Sequence, residues 1–173
     1  MRIYGFIFLF LLSLVPVRVG AVDPENMTPQ EYTVVERNCK SAQQILQRIQ
    51  YVDPVARVNR GTAYNNISKL MSSMTSRAAF NAYSLPQLSV ETEAIQDLRI
   101  EFAKDYTEYE IALRELINYN CAENPQEFYA KLVDVRSQRS IVTLRVKEID
   151  RRLDVFSTNI TKLSQLILTK EQQ

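Results

Sequence analysis

The sequence predicts an all-α fold: an elongated antiparallel three-helix bundle, coiled-coil-like in its packing, with the first helix kinked at Pro54. Three observations carry this. Of 173 residues only three are glycine, and only Gly61 lies beyond residue 21, too few turn residues for a β-rich domain. Apolar residues recur at alternating spacings of three and four along nearly the whole chain after Thr28, which draws one stripe down the side of a helix. From Phe128 to Ile167 that stripe is sustained over more than five heptads, broken only at Arg139.

The N-terminal segment, 1–21, reads as an export signal. Arg2 supplies the positive start, Ile3 to Val17 form an apolar run, and Val19-Gly20-Ala21 offers small residues for cleavage after Ala21. The run is ~15 residues, short of the roughly 20 that span a bilayer. Membrane contact is expected only if the segment stays uncleaved. Its removal leaves 152 residues, a short N-terminal stretch at 22–27, one helical domain at 28–170 and a tail at 171–173. That product carries 19 basic against 20 acidic side chains, no basic footprint for nucleic acid. Its two cysteines, Cys39 and Cys121, are expected to pair in an exporting compartment.

The first helix opens at Thr28-Pro29-Gln30-Glu31, a capping box with proline at the first helical position. Val35, Cys39, Ala42, Leu46 and Ile49 follow as its stripe. Asp53-Pro54 then either turns the chain or kinks one long helix, because Pro54 lacks an N–H and crowds the preceding turn. Ala63, Ile67, Leu70, Met74 and Ala78 continue the stripe, and Asn81 to Ser89 reads as a loop. The next helix is expected from about Ser89 to Asn120-Cys121, with Ile95, Leu98, Phe102, Tyr106 (or Asp105), Tyr109, Leu113 and Leu116 inward. Asn124-Pro125-Gln126-Glu127 repeats the cap pattern. The last helix then runs to about Thr169, ~70 Å at 1.5 Å per residue.

Charge selects neighbours. Val90 to Ile117 carries eight acids against Arg99, Lys104 and Arg114, whereas 54–82 has four bases and no acid, and 131–152 has seven bases against three acids. The acidic helix is therefore expected between the two basic ones, an argument about arrangement and not stability. The cysteines choose between topologies. An up-down four-helix bundle, the alternative, would hold them ~20 Å apart, far beyond the 7 Å a bridge allows. A single kinked first helix leaves ~16 Å, which the loop at 83–88 can cover by descending roughly 20 Å.

Chemistry is sparse. There is no histidine, no Cys-x-x-Cys pair, no phosphate-binding glycine loop and no Gly-x-Ser-x-Gly elbow. No enzyme activity, cofactor or metal is expected. The carboxylates after Val90 read as a solvated helix face. One polar cluster stands out: at the level of Asp53-Pro54, Arg139 interrupts the seam, and Arg57, Arg60, Asp105, Glu108 and Arg136 are expected near it. The cluster is expected to fix helix register, as single polar seam residues do in coiled coils, or else to meet a partner. Of the nine tyrosines, Tyr64, Tyr106, Tyr109, Tyr119 and Tyr129 are expected to edge the core with their hydroxyls in water, or else to line a binding face. Asn26, Asn66 and Asn159 begin N-glycosylation sequons.

The stretch from Asp53-Pro54-Val55-Ala56-Arg57 to Tyr64, together with Asn120-Cys121, Pro125, Phe128-Tyr129, Arg136 and Arg139, resembles exported helical proteins of candidate-phylum bacteria of the Saccharibacteria type. The resemblance spans most of the chain after the signal. It implies a bacterial envelope setting and carries no activity or cofactor. The expected role is a non-enzymatic structural or interaction protein of the envelope (spacer, adaptor or assembly component) with a protein partner, or self-association through the last helix. The alternative is a periplasmic holdase-like chaperone.

Overall fold

The computed structural model describes residues 24–83 and 85–171, so the segment expected to be an export signal lies outside the described residues. A 3-10 turn, Pro24–Asn26, precedes three helices: α1, Pro29–Phe80; α2, Pro86–Ile117; and α3, Pro125–Glu171. No strand occurs among the described residues. At 1.5 Å per residue the 52, 32 and 47 residues of these helices span about 78, 48 and 70 Å.

The helices alternate in direction. Thr75 meets Thr92 and Arg57 meets Glu110, so α1 and α2 are antiparallel. Arg152 meets Glu91 and Arg145 meets Asp105, so α2 and α3 are antiparallel too. α2 packs along both neighbours, while α1 and α3 touch each other sparsely. The charge pattern is realised: acids of the middle helix reach bases on either side.

The first cap forms as the sequence dictates. Glu31 N donates to Thr28 Oγ1 at 3.3 Å and Thr28 N donates to Glu31 Oε2 at 2.8 Å. The Thr28 backbone N–H, and the Thr28 hydroxyl that also donates to Glu31 Oε2 at 2.8 Å, hold the Glu31 carboxyl below its usual range. α1 then runs unbroken through Pro54, so the chain does not reverse there and the four-helix arrangement is not adopted. α2 starts at Pro86 and not Ser89, since proline at the first helical position sacrifices no hydrogen bond. At the start of α3, the Glu127 carboxylate accepts from the Tyr119 hydroxyl, which ties that helix to the turn before it.

α1 ends in a two-bond stop. Tyr83 N donates to Ala78 O at 2.9 Å and Ala82 N donates to Ala79 O at 3.0 Å, the Schellman pattern. Ala82 sits at φ 59°, the left-handed region that glycine occupies without a Cβ clash. Ala82→Gly should therefore raise stability by about 0.5–1 kcal/mol, read as a rise of roughly 1–4 °C in the unfolding midpoint.

The core falls into two stretches. The lower joins Cys39, Leu46, Tyr64 and the inward faces of α2 and α3 from Phe102 to Cys121 and Phe128 to Ile149. The upper joins Met71, Ala78, Leu88, Ile95, Phe156 and Leu163. The heptad seam of α3 is thus spent inside the bundle, with Leu166 and Leu168 left exposed near its end. Cys39 and Cys121 form a disulfide, Cα atoms 5.7 Å apart, that fastens α1 to the α2–α3 turn.

Candidate functional site

The most organised polar site lies at Asp53, one residue before Pro54. Helical rotation points Asp53 into the bundle on the same side as Cys39, Leu46 and Tyr64, and its side chain is only 17% exposed. Two tyrosines one turn apart on α2 converge on it. Tyr109 Oη donates to Asp53 Oδ2 at 2.7 Å, and Tyr106 Oη donates to the Asp53 carbonyl at 2.6 Å. From α3, Arg139 Nη2 stands 3.5 Å from Asp53 Oδ1. Beside them Arg57 pairs with Glu110 and lies over the Tyr106 ring, 5.5 Å from its centroid. A run of aromatic rings, Tyr64, Phe102, Tyr106 and Tyr109, with centroids 5.5–5.9 Å apart, packs this layer into the core.

Burial first, and the Asp53 charge second, push the Tyr106 hydroxyl up to about 12. Burial and the hydrogen bond to Asp53 raise Tyr109 further. Both hydroxyls therefore stay protonated, as donors, across the physiological range. A phenol whose pKa is raised on folding contributes stability that is complete below its unfolded value near 10 and is lost as pH climbs through the folded value. The urea midpoint should hold steady to about pH 10 and fall toward pH 12, and Tyr109→Phe should flatten that fall.

Of the residues expected around the kink, the structure brings Arg57 and Arg139 into the layer. The others lie elsewhere. Asp105 turns to α3 and accepts from Arg145 Nε at 2.9 Å. Glu108 faces outward near Lys104, 3.9 Å away. Arg60 lies beside Tyr64, further along α1, and Arg136 stands on the rim of a cleft. Height along the bundle was predictable, but one residue of offset turns a side chain by 100° and sends it to another helix. The tyrosine expectation is corrected for Tyr64, Tyr106 and Tyr109: all three are buried, and the last two turn their hydroxyls to Asp53 and not to water. Asp53 itself, Tyr109 and Glu110 were missed as members. The sequence signal for them was an acid before proline together with tyrosines spaced i, i+3.

A second polar node joins α2 and α3. Glu91 is buried and accepts from Gln87 Nε2 at 2.8 Å and Arg152 Nη1 at 3.2 Å, while Arg152 also meets Glu148. A buried carboxylate with these partners is satisfied, and it fixes the pairing of the two helices.

Because α1 and α3 touch so little, a cleft of about 230 Å³ opens between them below the Asp53 layer. Ile45, Ile49 and Leu132 line it with Arg136 and Arg139 on its rim. Two further clefts, about 330 and 340 Å³, flank Tyr83 at the far end of the rod. Among the described residues, no group of three or more histidine, cysteine or acidic side chains is placed to hold a metal ion. No described helix is long and apolar enough to cross a membrane. No family model, curated protein or solved structure matches the chain.

Proposed function

We propose that this chain is an exported, non-enzymatic helical rod of the cell envelope, a spacer or adaptor that works through its surfaces on a protein partner. The observation that carries the reading is the architecture: antiparallel helices of about 78, 48 and 70 Å packed side by side, clamped at one end by a disulfide that belongs to an oxidising compartment. The polar layers at Asp53 and Glu91 are fully used in holding helices to one another, as a rigid spacer requires. The clefts, at 200–340 Å³, sit at or below the small end of ligand sites. A holdase-like chaperone would need a larger space between its arms. Within the rod, α1 bends at Pro54, where the carbonyl of Gln50 loses its helical donor.

The test is to express the full chain in an exporting host and analyse the recovered protein by intact mass and solution scattering. The expected result is a mature start at Val22, no free thiols and a maximum dimension near 80 Å. A full-length cytoplasmic protein with reduced cysteines would overturn the reading, as would a compact scattering profile.

A further inference from the structure

Two outward helix faces of this chain are complementary to each other. On α1, the side turned away from the core is a row of exposed positions at spacings of four and three, from Lys40 through Tyr51, Val55 and Val58 to Lys69. Its middle is apolar: Tyr51, Val55 and Val58 are 84, 60 and 63% exposed. Its flanks are cationic. Between Arg37 and Phe80 the only acid is Asp53, which is turned inward, so Arg48, Lys69 and Arg77 have no acid beside them on that face, while Lys40 has Glu36 one turn before it.

The outward row of α2 has the same spacing and the opposite sign. Glu93, Asp97, Glu108 and Glu115 stand exposed along it, and Lys104 is its one base. Ile100 and Ile111 interrupt the acids, 61 and 42% exposed. Among the described residues Arg48, Lys69, Glu93, Asp97 and Glu115 make no ion pair. Folding therefore leaves most of both rows unused, with Glu108 meeting Lys104 inside its own row. Within one molecule they cannot meet, because each points away from the bundle axis.

We infer that the basic apolar face of α1 docks on the acidic face of α2 of a second copy. The charge signs specify the partner, since α1 against α1 or α2 against α2 would repel. Each copy presents one face of each kind, so the contact is head-to-tail and extends into a side-by-side row of rods. One helix seated on another is a small interface, which makes the association weak and sensitive to salt. The inference deepens the structural role proposed above and rests on that reading for its setting. Its residues are separate from those of the disulfide and the Asp53 layer.

The test uses the disulfide-intact protein recovered from an exporting host and two charge-reversed variants. One carries Arg48→Glu with Lys69→Glu on α1, and the other carries Asp97→Lys with Glu115→Lys on α2. All four positions are exposed, so both variants should retain wild-type helicity and melting. Light scattering should show the wild-type mass at least doubling with concentration in low salt and returning to the monomer at about 0.5 M salt, where screening is complete within a few ångströms. Each variant alone should remain monomeric. Their equimolar mixture should associate again, because the reversed α1 of one then faces the reversed α2 of the other. A wild type that stays monomeric at millimolar concentration overturns the inference. So does a mixture that stays monomeric, or a variant that assembles like wild type. If the α1 variant differs from a monomeric wild type only in losing binding to anionic phospholipid vesicles, the face belongs to a lipid surface and the inference is likewise overturned. Those failures leave the export and rod-shape result standing, since mass and scattering test it separately.

Discussion

Reducing the Cys39–Cys121 bridge should lower the unfolding midpoint by roughly 10 °C while leaving the helical content of the folded state nearly unchanged. The two cysteines are 82 residues apart in sequence. In the chain-entropy account a closed loop of that size restricts the unfolded state by about 4.5 kcal/mol, and native disulfides commonly deliver 2–4. For a domain of about 150 residues each kcal/mol moves the midpoint by roughly 2–4 °C. The bridge also has a local task. α1 begins ten residues before Cys39, and this first stretch extends past the point where α2 turns toward α3. Gln43 Nε2 donates to the carbonyls of Ile117 and Tyr119 at 3.2 and 2.8 Å, an adjoining tie between α1 and the same turn. Without the disulfide the first turns of α1 lose their main attachment and should exchange amide hydrogens first. Thermal circular dichroism with and without reductant, with Cys121→Ser as control, measures the first effect. A midpoint that moves by under 2 °C would show that the end of the rod is held by packing alone.

Much of this architecture was legible because periodicity reports it directly. The stripes of Val35 to Ile49 and Phe128 to Ile167 mark inward faces whatever the partner, and the buried residues fall on them. The pairing of Cys39 with Cys121 followed from their being the only candidates, and it then favoured one long first helix over a chain reversal at Pro54. What spacing could not supply was azimuth between helices. Asp105 and Tyr106 are neighbours in sequence at nearly one height, yet one meets Arg145 on α3 and the other meets Asp53 on α1. The burial of Glu91 was equally hidden, because a lone carboxylate on an acidic helix looks solvated until Arg152 and Gln87 are brought to it. Ala82 in a left-handed conformation was invisible for a different reason: the loop is imposed by tertiary packing of Tyr83 and Leu85, against the local preference for glycine.

The Asp53 layer separates a register device from an ion-pair anchor, and the two make different demands on its members. Asp53→Ala should cost about 2–3 kcal/mol, because the buried Tyr109 hydroxyl loses a charged acceptor and gains nothing in return. Arg139→Leu should change stability by less than about 1 kcal/mol. Arg139 is 55% exposed and its contact with Asp53 is a long one, 3.5 Å, which places the pair with surface ion pairs. Leucine at that position would also extend the apolar seam between Val135 and Val142. The asymmetry follows from how each side chain is held: Asp53 is bonded from the buried side by Tyr109, whereas Arg139 reaches in from solvent. A double-mutant cycle of Asp53→Ala with Tyr109→Phe should show a coupling of about 1–2 kcal/mol. Urea denaturation of the four proteins in the cycle, with Arg139→Leu alongside, provides the numbers. Should Arg139→Leu cost as much as Asp53→Ala, the charge pair and not the tyrosine–aspartate bond holds the layer. Should Arg139→Leu be neutral in stability yet lose the protein's partner, Arg139 belongs to a binding surface at the edge of the α1–α3 cleft, where Arg136 stands beside it.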